Sequence, residues 1–162
     1  MGAGKSVVGA RVAQRLGWRF IDVDAEVERR CGLSIPEIFS TLGEDAFRSA
    51  EGAALLEALD AREVVVATGG GAVLSADNRS AMREAGMVVH LHANIDAQLD
   101  RLQSDAVRPL LAGDDRTVRL RVLADVRGPL YADLSHVRID TSTLSPDEVC
   151  EAVLTAFEAA HP

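Results

Sequence analysis

Gly4-Lys5-Ser6 is the first place in the chain where residue types and spacing could do chemistry. The run matches the second half of G-x-x-x-x-G-K-[ST], a loop between a buried strand and a helix. In such a loop the backbone N–H groups cradle phosphate oxygens, the lysine reaches the terminal phosphates and the hydroxyl ligates Mg²⁺. The helix that follows adds its positive dipole end. Val7, Val8, Val12, Ala13 and Leu16 recur at helical spacing, so a helix does follow. Counting back from Gly4 puts the first glycine of the pattern just ahead of Met1. Alone, the tripeptide reads equally as an N-terminal tail and a helix cap.

Other residues could work with such a loop. Asp22 and Asp24 sit two apart at the end of an expected strand, which turns both side chains to one face. One carboxylate could reach Mg²⁺ while the other orients an alcohol or accepts its proton. A helix cap is the plainer use, for Asp24 more readily than for Asp22. Gly69-Gly70-Gly71 directly follows the apolar run Val64–Ala67, and without Cβ atoms the backbone can approach something bound. Arg48 precedes Glu51 by three residues on an expected helix, close enough to be held by it. Arg108 and Arg127 flank a segment of low apolar content with Gly-Asp-Asp at its centre, a composition that suits a flap over a reaction site. Arg101, at the end of the preceding helix, could stack on a base or cap that helix. His90 and His92 alternate in an apolar strand with no third metal ligand nearby, so they read as core or sheet-edge residues.

The elements that must position these residues alternate. Strands are expected at 18–24, 62–74, 86–93 and 136–141, and helices at 25–32, 34–43, 44–59, about 77–85, near 95–103 and from about Ser145. Val64–Ala67 reads as a strand covered on both faces. This alternation means an α/β domain with a parallel sheet, whose ligands sit at the carboxyl ends of the strands. The phosphate loop, the aspartates and the triple glycine then share one rim. With 162 residues, 48% of them hydrophobic, the chain suits one domain with one good core. A net charge of −8 argues against a nucleic-acid or anionic-membrane partner. No apolar run approaches the ~18 residues of a membrane span, and no signal-peptide order is present. Cys31 and Cys150 have no partner motif and read as reduced thiols of a cytoplasmic protein.

The stretches "MGAGKS", "FIDVDAEVE", "GLSIPEIFSTLGEDAFRSAE", "ATGGGAV", "RPLL" and "RGPLY" together resemble a shikimate kinase, a small P-loop kinase related in fold to the nucleoside monophosphate kinases. The resemblance covers nearly the whole chain. It implies a three-layer α/β/α architecture with a parallel sheet in a single domain, 1–162. A helical substrate-binding segment is expected at about 25–60 and a mobile lid at about 106–120. It further implies ATP as donor, Mg²⁺ as cofactor and shikimate as acceptor, giving shikimate 3-phosphate, in a cytoplasmic monomer without nucleic-acid or membrane partners. Gly2, Ala3, Gly4, Lys5, Ser6 and Val7 would hold the ATP phosphates, Ser6 and Asp22 the metal, and Arg101 would lie against adenine. Asp24 would bind the ring hydroxyls and act as base. Arg48 and Arg127 would clamp the carboxylate, a task suited to guanidinium forks. Gly69, Gly70 and Gly71 would add backbone contacts, and Arg108 would close with the lid over the transferring phosphoryl.

The family also has a strand and a loop glycine before "MGAGKS". That strand is expected in mid-sheet, between the strands at 62–67 and 86–92. The expectation is that translation begins upstream and Met1 is internal to the loop, the alternative being a truncated, impaired product. A gluconate-type kinase would share the loop but gives no reason for Arg48, the triple glycine and Arg127 together. A degenerate non-catalytic nucleotide- or shikimate-binding protein is opposed by the retention of Lys5, Ser6, Asp22, Asp24 and Arg108, and favoured by the missing strand.

Overall fold

The computed structural model describes residues 2–102 and 116–161. Its elements run α1 (Lys5–Leu16), β1 (Arg19–Asp22), α2 (Val23–Cys31), α3 (Ile35–Thr41), α4 (Gly43–Leu59) and β2 (Val64–Ala67). A 3₁₀ turn (Ala72–Leu74) follows, then α5 (Ala76–Ala85), β3 (Val89–His92), α6 (Ile95–Leu102), α7 (Arg116–Leu134), β4 (Val137–Asp140) and α8 (Pro146–Ala160).

Local chemistry sets most of these boundaries. Ser34 and Ser145 each open a helix through a capping box, with Glu37 and Glu148 reaching back to the cap backbone. Gly17 and Gly32 close α1 and α2 in the left-handed conformation, which a residue without Cβ adopts at no steric cost. The expected strand at 18–24 stops at Asp22, because the Asp22 side chain accepts from the backbone N–H groups of Asp24 and Ala25 and starts α2 at Val23. The expected lid at 106–120 falls partly outside the described residues. Its last five positions, 116–120, form the start of α7.

All the pairing among the described residues is parallel. β1 pairs with β2 in the register Arg19↔Val64 to Asp22↔Ala67, and β3 pairs with β4 in the register Val89↔Val137 to His92↔Asp140. Among the described residues no ladder joins β2 to β3, so the strands form two half-sheets. β2 is covered on both faces, as expected, with Val65 against one helical layer and Val66 against the other, although Val64, Val65 and Val66 are each only half-buried.

Two apolar clusters hold the half-sheets between helical layers. On one face Val8 and Val12 of α1 and Val149, Cys150 and Leu154 of α8 pack on Val65, Leu91 and Ile139. On the other face Val27, Ile38, Phe47, Leu55, Met82 and Leu134 pack with Val66 and Val88. Val65 and Val66 thus face opposite layers, as strand pleating requires. The result is the α/β/α layering, with α1 and α8 spanning strands of both half-sheets.

Candidate active site

The chain enters the site through the loop before α1. Gly4 caps α1 with φ +84°, and its carbonyl accepts from Val8 N–H at 2.9 Å. No side chain caps the helix and no acidic residue occupies its first turn, so its amide groups and dipole are left for an anion. Gly2 also lies at positive φ, and a Cβ there would stand 3.2 Å from Gln98 Cα. Arg101 ties the loop down. Its Nη1 donates to Gly2 O at 3.0 Å and to Thr141 Oγ1 at 3.1 Å, and its Nη2 donates to Thr141 O. The buried Thr141 hydroxyl donates to Ala3 O at 3.3 Å.

Ser6 Oγ donates to Asp22 Oδ2 at 2.5 Å. The remaining oxygen of Asp22 takes the two amides that start α2. Asp22 and Asp24 therefore do not point the same way off a strand end, as their spacing suggested. The chain turns into a helix between them. Asp22 turns to the phosphate loop, whereas Asp24, in the first turn of α2, turns to the triple glycine. It is Asp22, not Asp24, that supplies the cap.

The three glycines are explained one by one. None has positive φ, so close approach accounts for them, not backbone conformation. A Cβ on Gly69 would collide with Glu51 Oε1 and stand 2.7 Å from Asp24 Oδ1. On Gly70 it would lie 3.3 Å from Arg127 Nη1 and 3.4 Å from the Tyr131 hydroxyl, and on Gly71 it would run into the Arg48 guanidinium. Three residues of backbone thus collect Asp24, Glu51, Arg127, Tyr131 and Arg48 from α2, α4 and α7.

The charges at this place are unusual. Arg48 Nη1 donates to Glu51 Oε2 at 2.8 Å, and its Nη2 donates to Glu44 Oε1 at 3.0 Å. Glu51 is 1% exposed, and burial pushes its carboxyl above the usual range against the opposing pull of Arg48. Arg127 is 5% exposed, makes no salt bridge within the described residues, and has a buried Nε without a partner there. A buried guanidinium in this state can accept an anion.

Tyr131 is a site residue that sequence reading missed. Its hydroxyl donates to Gly70 O at 2.6 Å and lies beside the Arg127 guanidinium, and burial pushes its pKa up. The available signal was its place four residues after Arg127, one turn along the same helical face. His90 stacks on it with ring centroids 4.7 Å apart. Burial, and then His92, Arg138 and Lys5, bring His90 down to about 4. Arg108 lies outside the described residues. A separate cleft of about 560 Å³ along β1 is lined by Arg19, Arg29, Arg30, Glu26 and Glu57, among others, and in it Arg29 and Arg30 pair with Glu26 and Arg30 also with Glu57.

This geometry can bind two anions and a hydroxyl between them. The sequence model for shikimate kinase matches residues 1–158. The chain belongs to the shikimate kinase family. A shikimate kinase of Xanthomonas campestris is 47% identical over 98% of the chain and 88% of its own length. One from Bordetella pertussis is 43% identical over 98% of the chain and 75% of its own length. Among solved structures, a shikimate kinase from Acinetobacter baumannii in complex with shikimate aligns with a TM-score of 0.96 at 38% identity, covering 99% of this chain and 89% of that one. The activity of this shikimate kinase chain is ATP-dependent phosphorylation of shikimate.

Proposed function

We propose that Lys5 and the amides around Gly2, Ala3, Gly4, Ser6 and Val7 hold the ATP phosphates, and that Asp24, Arg48, Arg127 and the triple glycine hold shikimate. The observation that carries this reading is the buried Arg127 guanidinium, its Nε without a hydrogen-bond partner among the described residues and its Nη1 beside Gly70, with Arg48 against Gly71 and Asp24 against Gly69. Two guanidinium groups and one carboxylate around a glycine platform match a ring acid that carries a carboxylate at one end and hydroxyls at the other.

The transfer needs positioning and charge more than covalent help from the protein. Arg48 and Arg127 fix the acid so that its 3-hydroxyl faces the loop at Lys5. Asp24 accepts the hydroxyl proton as that oxygen bonds to the γ-phosphorus. The bond from the γ-phosphorus to the β,γ-bridging oxygen breaks, and ADP leaves with the electron pair. Lys5 balances charge on the γ-phosphoryl oxygens, and Arg108 joins it from the 106–120 segment. The Ser6 hydroxyl and the Asp22 carboxylate form a hard-oxygen pair suited to Mg²⁺. Bound there with ATP, Mg²⁺ would neutralise phosphate charge. Arg101, already engaged with Gly2 and Thr141, flanks the adenine position and steadies the loop.

In this reading the chain works as one domain and as a monomer on small molecules of the shikimate pathway in the cytoplasm, without nucleic-acid or membrane partners. The net charge of −8 supports the absence of polyanionic partners, and no helix among the described residues is long and apolar enough to cross a membrane. The direct test is shikimate-dependent ADP release at saturating ATP and Mg²⁺. Turnover that requires shikimate is expected. Binding of both ligands without ADP release would replace the kinase reading with that of a binding protein.

A further inference from the structure

Tyr131 touches three parts of the acceptor side at once, yet the transfer as described does not use it. Its hydroxyl donates to the Gly70 carbonyl at 2.6 Å. The same oxygen and Arg127 Nη1 both stand within 3.4 Å of where a Gly70 Cβ would be. Its ring face is covered by His90, tilted 27° from parallel. The His90 ring is half-buried and its Nδ1 has no hydrogen-bond partner among the described residues, so its role here is packing.

These contacts form a chain from β3, through the phenol of α7, to the middle glycine after β2. No ladder joins β2 to β3 among the described residues. The Gly70 carbonyl has the phenol as a donor, and a peptide plane held by its carbonyl also has its amide face fixed. Residues without Cβ atoms are the ones whose backbone needs such restraint, because their own conformational range is the widest.

From this geometry we infer that Tyr131 is a positioning residue for the acceptor: its hydroxyl locks the Gly70 peptide and aligns the Arg127 fork, so that the site is preformed for the shikimate carboxylate. The inference rests on the assignment of this side of the site to shikimate. It acts on acceptor binding and leaves the nucleotide side alone.

Tyr131→Phe removes the hydroxyl and keeps the ring on His90. The expected result is a rise of about 3- to 10-fold in the KM and the calorimetric Kd for shikimate, the size of one neutral hydrogen bond. The KM for ATP and kcat should stay within about twofold, and amide exchange across 69–72 should quicken. If the variant does not fold, His90→Leu tests the same point by removing the stacked ring. It should weaken shikimate binding with ATP binding unchanged. An unchanged shikimate Kd, or losses of equal size for shikimate and ATP, would overturn the inference alone. A wild-type chain that neither binds nor turns over shikimate would overturn the assignment as well.

Discussion

Glu51 grips Arg48 with one carboxylate oxygen, at 2.8 Å, and presents the other, buried and without a hydrogen-bond partner among the described residues, to Gly69. One side chain thus holds the guanidinium at Gly71 and closes the space at Gly69. Because Glu51 is almost wholly buried, truncating it leaves Arg48 half-buried with Glu44 alone. Glu51→Ala should cost about 3 kcal/mol of stability, in the range for breaking a buried pair. Urea denaturation checks this, and the KM for shikimate should rise in the folded fraction.

The glycines should tolerate nothing larger. Gly69→Ala and Gly71→Ala put a methyl group into Asp24 and Glu51, or into Arg48, so kcat/KM for shikimate should fall by at least about 100-fold. Gly52, inside α4, has only Asn78 Oδ1 at 3.5 Å from its Cβ position. Gly52→Ala should leave activity intact and add about 0.5–1 kcal/mol through helix propensity. Steady-state kinetics beside thermal melts separates the two cases.

Substitution of the two binding sides should separate in the kinetics. Arg127→Ala and Arg48→Ala should mainly raise the KM for shikimate. Lys5→Ala should lower kcat by about 100- to 1,000-fold with any acceptor, the usual loss when one charge-stabilising donor is removed. Equal and mild effects from all three would undo the role assignment. Arg127→Lys should recover little, since the ammonium keeps the charge and lacks the fork.

His90 gives a pH signature. Its folded pKa of about 4 lies below the ordinary histidine value of 6.5. Between these values the unfolded chain binds more protons at this position than the folded chain does. Stability contributed here is complete above 6.5 and is lost as the pH falls through that window towards 4. Denaturant midpoints for wild type and His90→Leu, compared at about pH 7 and about pH 5, should show a smaller acid loss in the variant. An identical pH dependence in both would mean that His90 carries no shift.

The relation of sequence to structure follows how far each signal reaches. Glycine caps, the Ser34 and Ser145 capping boxes and the apolar runs act over a few residues, so the alternation of helices and strands could be read directly. The Arg48–Glu51 pair was legible for the same reason, both residues being on one helix face. The pairing of Ser6 with Asp22 joins the first turn of α1 to a strand end 16 residues away, and it was expected from the family resemblance and not from any local pattern.

By itself, then, the sequence determined the chemistry available: a phosphate loop, two aspartates, three glycines and arginines gathered in an acidic chain. The family resemblance already placed Asp22 with the loop and Asp24 with the acceptor, and the tertiary structure supplies the reason, a helix that starts between them. Other features only the tertiary structure decided. Tyr131 enters the site, because α7 crosses the triple glycine 61 residues away in sequence. Glu51 becomes a buried carboxylate, because α4 turns that face to Gly69. Burial and side-chain convergence depend on several distant elements meeting at once, and that is settled by packing, which no short stretch of residues encodes.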